Sequence, residues 1–170
     1  MSGTSNVIDV LLLVDADHLV STGNVVDSVS LFVQRGLVDP HATGNQQEGG
    51  DELWFDIKKG DIVRWRATTL SRNFDTTALI SNIVLGANDS DYKGVLSPPE
   101  YLTFQDVPVA YLKNNDPVDF GSTASTVTVW QAAAEAPGKL WYKIQFYLLD
   151  QETRVVGGPY IWDPYITINQ

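Results

Sequence analysis

Two arginines flank a tryptophan in the segment KGDIVRWRATTLSRNFD, residues 59–75. Guanidinium groups bind carboxylates and phosphates through paired hydrogen bonds, so Arg64 and Arg66 could hold an anionic ligand. Asn73 and Asp75 follow closely and add further polar groups. The competing interpretation is that the arginines pair with carboxylates of their own chain, since the chain is rich in acidic residues.

Three large aromatic side chains fall on the outward phase of the strands predicted around them: Trp54, Trp141 and Tyr147. Outward aromatic rings beside polar groups can stack on a sugar ring or fill a protein interface. They can also pack across neighbouring strands or lie under a loop. We keep these residues as candidates for a ligand site or an interface.

The potential metal ligands are few. The chain has no cysteine, a single methionine, and only His18 and His41, which excludes a blue-copper site because that site needs a cysteine and two histidines. His18 with Asp15 and Asp17 would supply a zinc ligand set. The preferred interpretation is that these residues form the polar end of a strand.

Two loops rich in Asn and Asp raise the question of calcium: GANDSDY at 86–92 and KNNDPVD at 113–119. Calcium takes six to eight oxygen ligands from flexible loops. Neither spacing matches an EF-hand, and such residues are common in ordinary turns. We therefore predict no metal and no cofactor, with calcium binding by the acidic loops left open.

No pattern indicates catalysis. There is no nucleophile-elbow motif, and the carboxylates of Glu48 and Asp51 lie in a predicted loop. We predict that the protein is not an enzyme.

Charge and hydropathy limit the partners. A formal net charge of −10 opposes binding to nucleic-acid phosphates. The apolar run at residues 10–14 is too short to span a bilayer, and acidic residues follow it where a signal peptide would not have them. We predict a cytoplasmic product that binds neither nucleic acid nor membranes.

The segments that must position these residues alternate apolar and polar side chains with a period of two, which is typical of half-buried strands. Turn-forming residues separate them, and no window predicts a helix of three turns. The 170 residues predict one domain, 1–170: an all-β antiparallel sandwich of about eight or nine strands, immunoglobulin-like or cupredoxin-like. The predicted strands span residues 6–15, 28–34, 52–57, 61–68, 77–85, 125–133, 139–150 and 159–168.

Several of these segments together resemble the AidA/PixA family of bacterial inclusion-body proteins. The specific parts are GDIVRWRATTLSRNFDTTALI in the middle of the chain and WDPYITI near its end; IDVLLLVDADHLV near the start is less specific. The signature residues are Arg64, Trp65, Arg66, Asn73, Asp75, Trp162, Asp163 and Pro164.

The resemblance implies a small protein without established catalytic activity or cofactor. Members of the AidA/PixA family accumulate in the cell, in some cases as crystalline inclusions, under quorum-sensing or phase-variable control, and interact with a host. The single methionine departs from the methionine-rich inclusion-forming member. We therefore predict a non-enzymatic, self-associating protein, a homodimer or a larger assembly, with a carbohydrate-binding module as the alternative.

The resemblance also suggests a structural role for the opening segment. We predict that Arg64, Arg66, Asn73 and Asp75 bond to Asp163 and nearby backbone, locking one end of the sandwich. The alternative leaves the arginines open to an anion or a glycan.

Overall fold

A computed structural model describes residues 5–86 and 94–170, which form two β-sheets around one hydrophobic core. One short α-helix follows the first strand, and two single-turn 3-10 helices lie in loops. The strands are β1 Val7–Val14, β2 Val29–Phe32, β3 Trp54–Lys58, β4 Ile62–Thr69, β5 Thr77–Leu85, β6 Glu100–Asn115, β7 Val118–Ala133, β8 Gly138–Leu149, β9 Val155–Trp162 and β10 Tyr165–Asn169; the helix α1 is Ala16–Thr22.

The first sheet has the strand order β2-β1-β4-β7-β6, and the second has the order β3-β10-β8-β5, with β9 also paired to β8. The predicted all-β sandwich is confirmed. Both sheets are mixed, because β1 runs parallel to β4 and β10 runs parallel to β3. Neither parallel pair was visible in the sequence, since parallel neighbours are joined by long crossovers and carry no turn signal.

The core lies where the period-two pattern placed it. On β8 the inward side chains from Leu140 to Leu148 are buried, with Trp141 exposed between them. Across the sandwich Val63 and Trp65 of β4 are fully buried. The alternation of apolar and polar residues was sufficient to predict the buried side chains of these strands, because each strand has one face on the core and the other face outward.

The WDP signature marks a break in one long strand. β9 and β10 lie along β8 in the same register, with Trp162 opposite Ile144 and Tyr165 opposite Trp141. Between them the carbonyl of Pro164 still accepts a hydrogen bond from the backbone N–H of Tyr142, at 3.0 Å. After this break the strand gains β3 as its second neighbour. Proline suits this position because it lacks the N–H that a regular strand would donate.

Strands β6 and β7 form a long hairpin, and β6 was missed by the sequence analysis. Only the last part of β7, Trp130–Ala133, pairs with β4. The Trp130 indole N–H anchors the base by donating to the carbonyl of Ile80 on β5, at 3.0 Å. Among the residues that the structure describes, the two strands beyond this base pair only with each other, down to Asn115 opposite Val118. We call residues 101–130 the hairpin arm.

The segment DADH does not end a strand in the structure. Asp15 caps helix α1, its carboxylate accepting from the backbone N–H of His18 at 3.1 Å. The helix ends at Gly23, which has a positive φ of 70°. Within residues 5–86 and 94–170 no helix has the length and apolar character needed to cross a membrane.

Candidate functional site

Arg64 does not bond to Asp163, so the predicted lock between these two residues is wrong. Its guanidinium instead pairs with Asp9, its neighbour across the parallel β1–β4 pair. The Nε–Oδ1 distance is 3.0 Å and the Nη2–Oδ2 distance is 3.1 Å. Both side chains are about one-third exposed. The arginine is therefore satisfied within its own sheet and is not open to a ligand.

Arg66 lies two residues further along the outer face of β4 and is exposed. It lines a shallow pocket of about 330 Å³ together with Asp9, Leu11, Phe32 and Gln34. The carboxylate of Asp9 on one wall opposes anion binding at this place. The structure thus separates the two arginines: one is paired and the other is exposed beside an acidic group.

Asn73 builds the turn after β4. It has a positive φ of 61°, a conformation that asparagine tolerates better than most residues. Its Oδ1 accepts from the backbone N–H groups of Thr69 and Ala78, at 3.1 and 3.2 Å. The hydroxyl of Thr69 in turn donates to the carbonyl of Thr76 at 2.7 Å. The motif is structural, but it closes its own turn and does not reach Asp163.

Asp61, in the GDIVRWR part of the same segment, is also a turn residue, and unlike Asn73 it is buried. Its two carboxylate oxygens accept from the backbone N–H groups of Asn6 and Lys58, at 3.0 and 2.9 Å. Asp75 is more peripheral: its N–H lies 3.4 Å from the hydroxyl of Ser71. These contacts give Asp61 and Asn73 a role in holding the turns on either side of β4.

The proposed zinc ligands are occupied by local contacts. The Nδ1 atom of His18 lies 2.8 Å from the hydroxyl of Ser28, and Asp15 caps the helix. Asp15, Asp17 and Asp75 line one pocket of about 270 Å³. In the part of the chain that the structure describes, no group of three or more His, Asp or Glu side chains is placed to hold a metal ion.

The two predicted calcium loops have different outcomes. Most of GANDSDY lies outside the described residues. KNNDPVD forms the tip of the hairpin arm, where Lys113 pairs with Asp119 at 3.2 Å and the amide of Asn114 donates to the carbonyl of Asp116 at 2.9 Å. The tip therefore uses its polar groups to close a tight turn.

Trp54 and Trp141 come together on the outer face of the second sheet. Tyr165 lies between them, so that Trp54, Tyr165 and Trp141 occupy one register across β3, β10 and β8. We call these three residues the aromatic row. The Trp54 indole N–H donates to Thr167 at 2.8 Å, and the ammonium of Lys139 lies 3.3 Å from the Trp54 ring centroid. Tyr165 was missed because it stands at the start of a strand, just after the proline break.

Tyr147 does not join the aromatic row. It lies further along β8, opposite Leu79 of β5. Its ring covers Gly158 of β9: a Cβ atom on that glycine would lie 3.0 Å from the Tyr147 Cδ1 atom. Tyr147 thus fills the space above a glycine that has a positive φ of 112°.

The outer face near Tyr147 is unusually apolar. Leu79 and Ile161 are 42% and 52% exposed. Register places them on the same outward side of β8, opposite Tyr147 and Gln145. We call this surface the β5–β8–β9 face; its apolar members are Leu79, Val84, Tyr147, Val155 and Ile161.

A pair of carboxyl groups beside His41 was also missed by the sequence analysis. Asp39 is buried and accepts from the backbone N–H of His41 at 2.7 Å. One oxygen of Asp56 is enclosed without a hydrogen-bond donor among the described residues, and the Asp39 side chain is its neighbour. No local sequence pattern could have predicted that Asp39 and Asp56 are neighbours, since Asp39 lies on a loop and Asp56 on β3.

The two carboxyl groups titrate in opposite directions. Burial raises the pKa of Asp56, and the neighbouring Asp39 raises it further. Burial also acts to raise the pKa of Asp39, but hydrogen bonds from His41 and Asp56 outweigh it, so that this pKa lies below its ordinary value. Asp39 is therefore the ionised member and Asp56 the one that holds a proton more readily. Asp56 lines a pocket of about 600 Å³, which Asp61, Lys58 and Arg35 also border.

The hairpin arm carries the largest feature that the sequence analysis missed. Register and alternation place the apolar side chains of the middle of β6 on one face of the arm, beside Ser125 and Thr123 of β7. The opposite face carries Thr, Ser, Ala and Pro in its middle and the exposed Tyr101, Leu112 and Phe120 towards its ends. Phe104 and Tyr111 on the apolar face are 41% and 50% exposed. The signal was present in the alternation of QDVPVAYL, but a bulge at 105–106 interrupts its period. The arm apolar face consists of Leu102, Phe104, Val107, Val109, Tyr111, Val127 and Val129.

The fold and these surfaces define a two-sheet β protein with a projecting hairpin and apolar outer surfaces. A family model described as PixA, inclusion body protein, matches residues 6–168, and the chain therefore belongs to the PixA family. The resemblance found in the sequence is confirmed. The fold is also similar to the crystal structure of the inclusion body protein PixA from Burkholderia cenocepacia J2315: the TM-score is 0.75 at 16% identity, over 99% of both chains. No curated protein matches the sequence.

Proposed function

We propose that this chain is a non-catalytic, self-associating protein of the PixA family that accumulates in the bacterial cell as an assembly. The main observation in support of this proposal is the exposure of the arm apolar face. A strand that alternates apolar and polar residues is expected to pack its apolar side on another layer. Here the described residues provide no such layer, because beyond its base the arm pairs only with itself. We therefore expect a second protein surface to cover the arm apolar face.

Three further observations support the proposal. Along β6 the aliphatic and aromatic residues of this face form one contiguous strip, with Ser125, Thr123 and Gly121 of β7 beside it, and exposed apolar strips mark protein interfaces. From Leu102 to Tyr111 the members of the strip are uncharged, although the net charge of the chain is −10. The family description, inclusion body protein, supports accumulation in the cell. Quorum-sensing control and host interaction enter the proposal through the family alone.

The experiment is the solution mass by light scattering over a range of concentrations. We expect the natural chain to exceed the mass of 18.8 kDa expected for a monomer. A double variant, Phe104→Lys with Tyr111→Lys, should shift the mass to the monomer. The matched control, Thr103→Lys with Ala110→Lys, adds the same charge to the opposite face of the same strand and should leave the mass unchanged. A monomeric natural chain at all concentrations would refute the proposal.

A second candidate function is carbohydrate binding by the aromatic row. Neighbouring strands are about 4.8 Å apart, so Trp54 and Trp141 lie roughly 10 Å from each other with Tyr165 between them. Flat aromatic surfaces of this length can stack on successive sugar rings. The ammonium of Lys139 already covers the Trp54 ring, which makes this candidate the weaker one.

The test of the second candidate is a glycan-array screen followed by calorimetry. Binding that Trp141→Ala abolishes and Lys139→Ala strengthens would support a sugar platform. An array without hits would reject it for the glycans present. Thermal unfolding of both variants serves as the folding control.

A further inference from the structure

The proposed self-association requires a surface that covers the arm apolar face. Three surfaces of a second copy can be compared: its own arm apolar face, the outer face of its first sheet, and its β5–β8–β9 face. We infer that the arm of one copy packs on the β5–β8–β9 face of a second copy; this inference rests on the self-association proposed above. Exposure, area and charge each discriminate between the candidates.

Exposure favours the second sheet over the first. Outside the hairpin, the outer face of the first sheet has only Val7 among its strongly exposed large apolar side chains in the described part of the chain. The β5–β8–β9 face has four: Leu79, Val84, Val155 and Ile161. It also lies along β8, a strand that is long enough to accept the length of the arm.

The area excludes contact between the arms alone. The arm apolar face runs from Leu102 to Tyr111, a strip roughly 30 Å long and two strands, about 10 Å, wide. Two arms packed on each other would bury about 300–400 Å² per chain, about half of the 800 Å² per partner that a stable interface buries. If each arm packs on the body of its partner, every chain contributes both an arm and a receiving face, which doubles the area. The reciprocal arrangement therefore reaches the size of a stable dimer.

The charges agree with this arrangement. The arm has three acidic residues and one lysine: Asp106, Asp116, Asp119 and Lys113. Lys143 projects from the β5–β8–β9 face, opposite Val84, and has no ion-pair partner among the residues that the structure describes. An acidic arm against a face that carries a lysine is favourable, whereas two acidic arms in contact repel.

Such a contact joins two different surfaces. Each chain has one arm and one receiving face, so two copies can close reciprocally into a dimer. If the rotation between copies does not close, the same contact continues from copy to copy as an open chain. The closed dimer and the open chain use the same contact residues, and they differ in the mass of the assembly.

The test is a complementation experiment. The arm variant is Phe104→Lys with Tyr111→Lys, and the face variant is Leu79→Lys with Ile161→Lys. The matched control for the face variant, Ser30→Lys with Thr68→Lys, adds the same charge to the outer face of the first sheet. We expect the arm and face variants each to weaken association by about 100-fold and the control to associate like the natural chain. Circular dichroism and thermal unfolding check that each variant is folded, and Leu79→Ser with Ile161→Thr replaces the face variant if lysine prevents folding.

The decisive sample is the mixture of the two variants. The arm variant retains a receiving face and the face variant retains an arm, so the mixture can form one of the two contacts: we expect it to associate more tightly than either variant alone and more weakly than the natural chain. A face variant that keeps the natural mass would overturn the inference while leaving self-association intact. So would a mixture that associates no more tightly than either variant alone at the highest concentration measured. A monomeric natural chain would refute both this inference and the proposed function.

Discussion

The indole of Trp65 packs against the phenol ring of Tyr142, with ring centroids 5.3 Å apart and planes inclined by 56°. Trp65 belongs to the first sheet and Tyr142 to the second, and both are fully buried. This contact therefore joins the two layers at the middle of the core. The tryptophan between the two signature arginines is a core residue, which is why the arginines on either side of it must point outward.

The Tyr142 hydroxyl provides a prediction about this contact. Burial raises the pKa of Tyr142, an effect that the Trp65 indole partly offsets, and the oxygen has no hydrogen bond of ordinary geometry in the described part of the chain. We expect Tyr142→Phe to change the free energy of unfolding by less than about 1 kcal/mol, because little bonding is lost. Tyr142→Ala should cost about 3–5 kcal/mol through the cavity it leaves.

Urea unfolding of the two Tyr142 variants measures this difference. The pair of variants separates ring packing from the hydroxyl group. A loss above about 2 kcal/mol for Tyr142→Phe would show that the hydroxyl accepts a functioning hydrogen bond, with the Trp65 N–H as its donor.

The sequence allowed the core strands to be predicted because their signal is local. In β4 and β8 a regular alternation of apolar and polar residues is bounded by turn residues, and the predicted spans of these strands and of β5 differ from the observed ones by a residue at most. The partner of Arg64 could not be predicted, since Asp9 and Arg64 meet only through the parallel pairing of β1 and β4.

The hairpin arm was not predicted for a different reason. Strand β6, which was not predicted, contains bulges between Phe104 and Val107 and again near Lys113, which shift its alternation from one face to the other. A period-two count fails across such a shift. The Asp39–Asp56 pair was invisible because it depends on how a loop folds over β3, which no local pattern encodes.

The Arg64–Asp9 pair should contribute little to stability. Its geometry is bidentate, but both side chains are about one-third exposed, and ion pairs at such positions are typically worth less than about 1 kcal/mol. We expect Arg64→Ala, Asp9→Ala and the double variant to lose similar amounts. Chemical denaturation of the three variants completes a double-mutant cycle. A loss of several kcal/mol for Arg64→Ala alone would restore the idea of a structural lock.

Asn73 should be more important than either arginine. Asn73→Ala removes the acceptor for two backbone N–H groups and places alanine at a positive φ, so we expect a loss of about 2–3 kcal/mol. Asn73→Asp is the matched control, because it keeps an acceptor oxygen and tolerates the same backbone conformation. Differential scanning calorimetry should show a large fall in melting temperature for the first variant only. Equal losses for both would mean that the side-chain acceptor is not what stabilises the turn.

The carboxyl pair of Asp39 and Asp56 predicts how stability depends on pH. The raised pKa of Asp56 means that the folded state holds this proton more tightly than the unfolded state does. The contribution of Asp56 to the free energy of unfolding is therefore lost as the pH rises from about 4, the unfolded pKa, through the raised folded value. Asp39 has the opposite sign: its lowered pKa gives stability that is present above the unfolded pKa and lost as the pH falls.

Substituting one carboxyl group at a time separates the two signs. Asp56→Asn cannot ionise and can donate its amide N–H to Asp39, so we expect it to exceed the natural chain by about 1 kcal/mol at pH 7 and to lose that advantage near pH 4. Asp39→Asn removes the charged acceptor of His41 and should be destabilising at pH 7. Urea unfolding of both variants between pH 4 and 7 tests this. An Asp56→Asn curve that runs parallel to that of the natural chain would show that the two carboxyl groups do not share a proton.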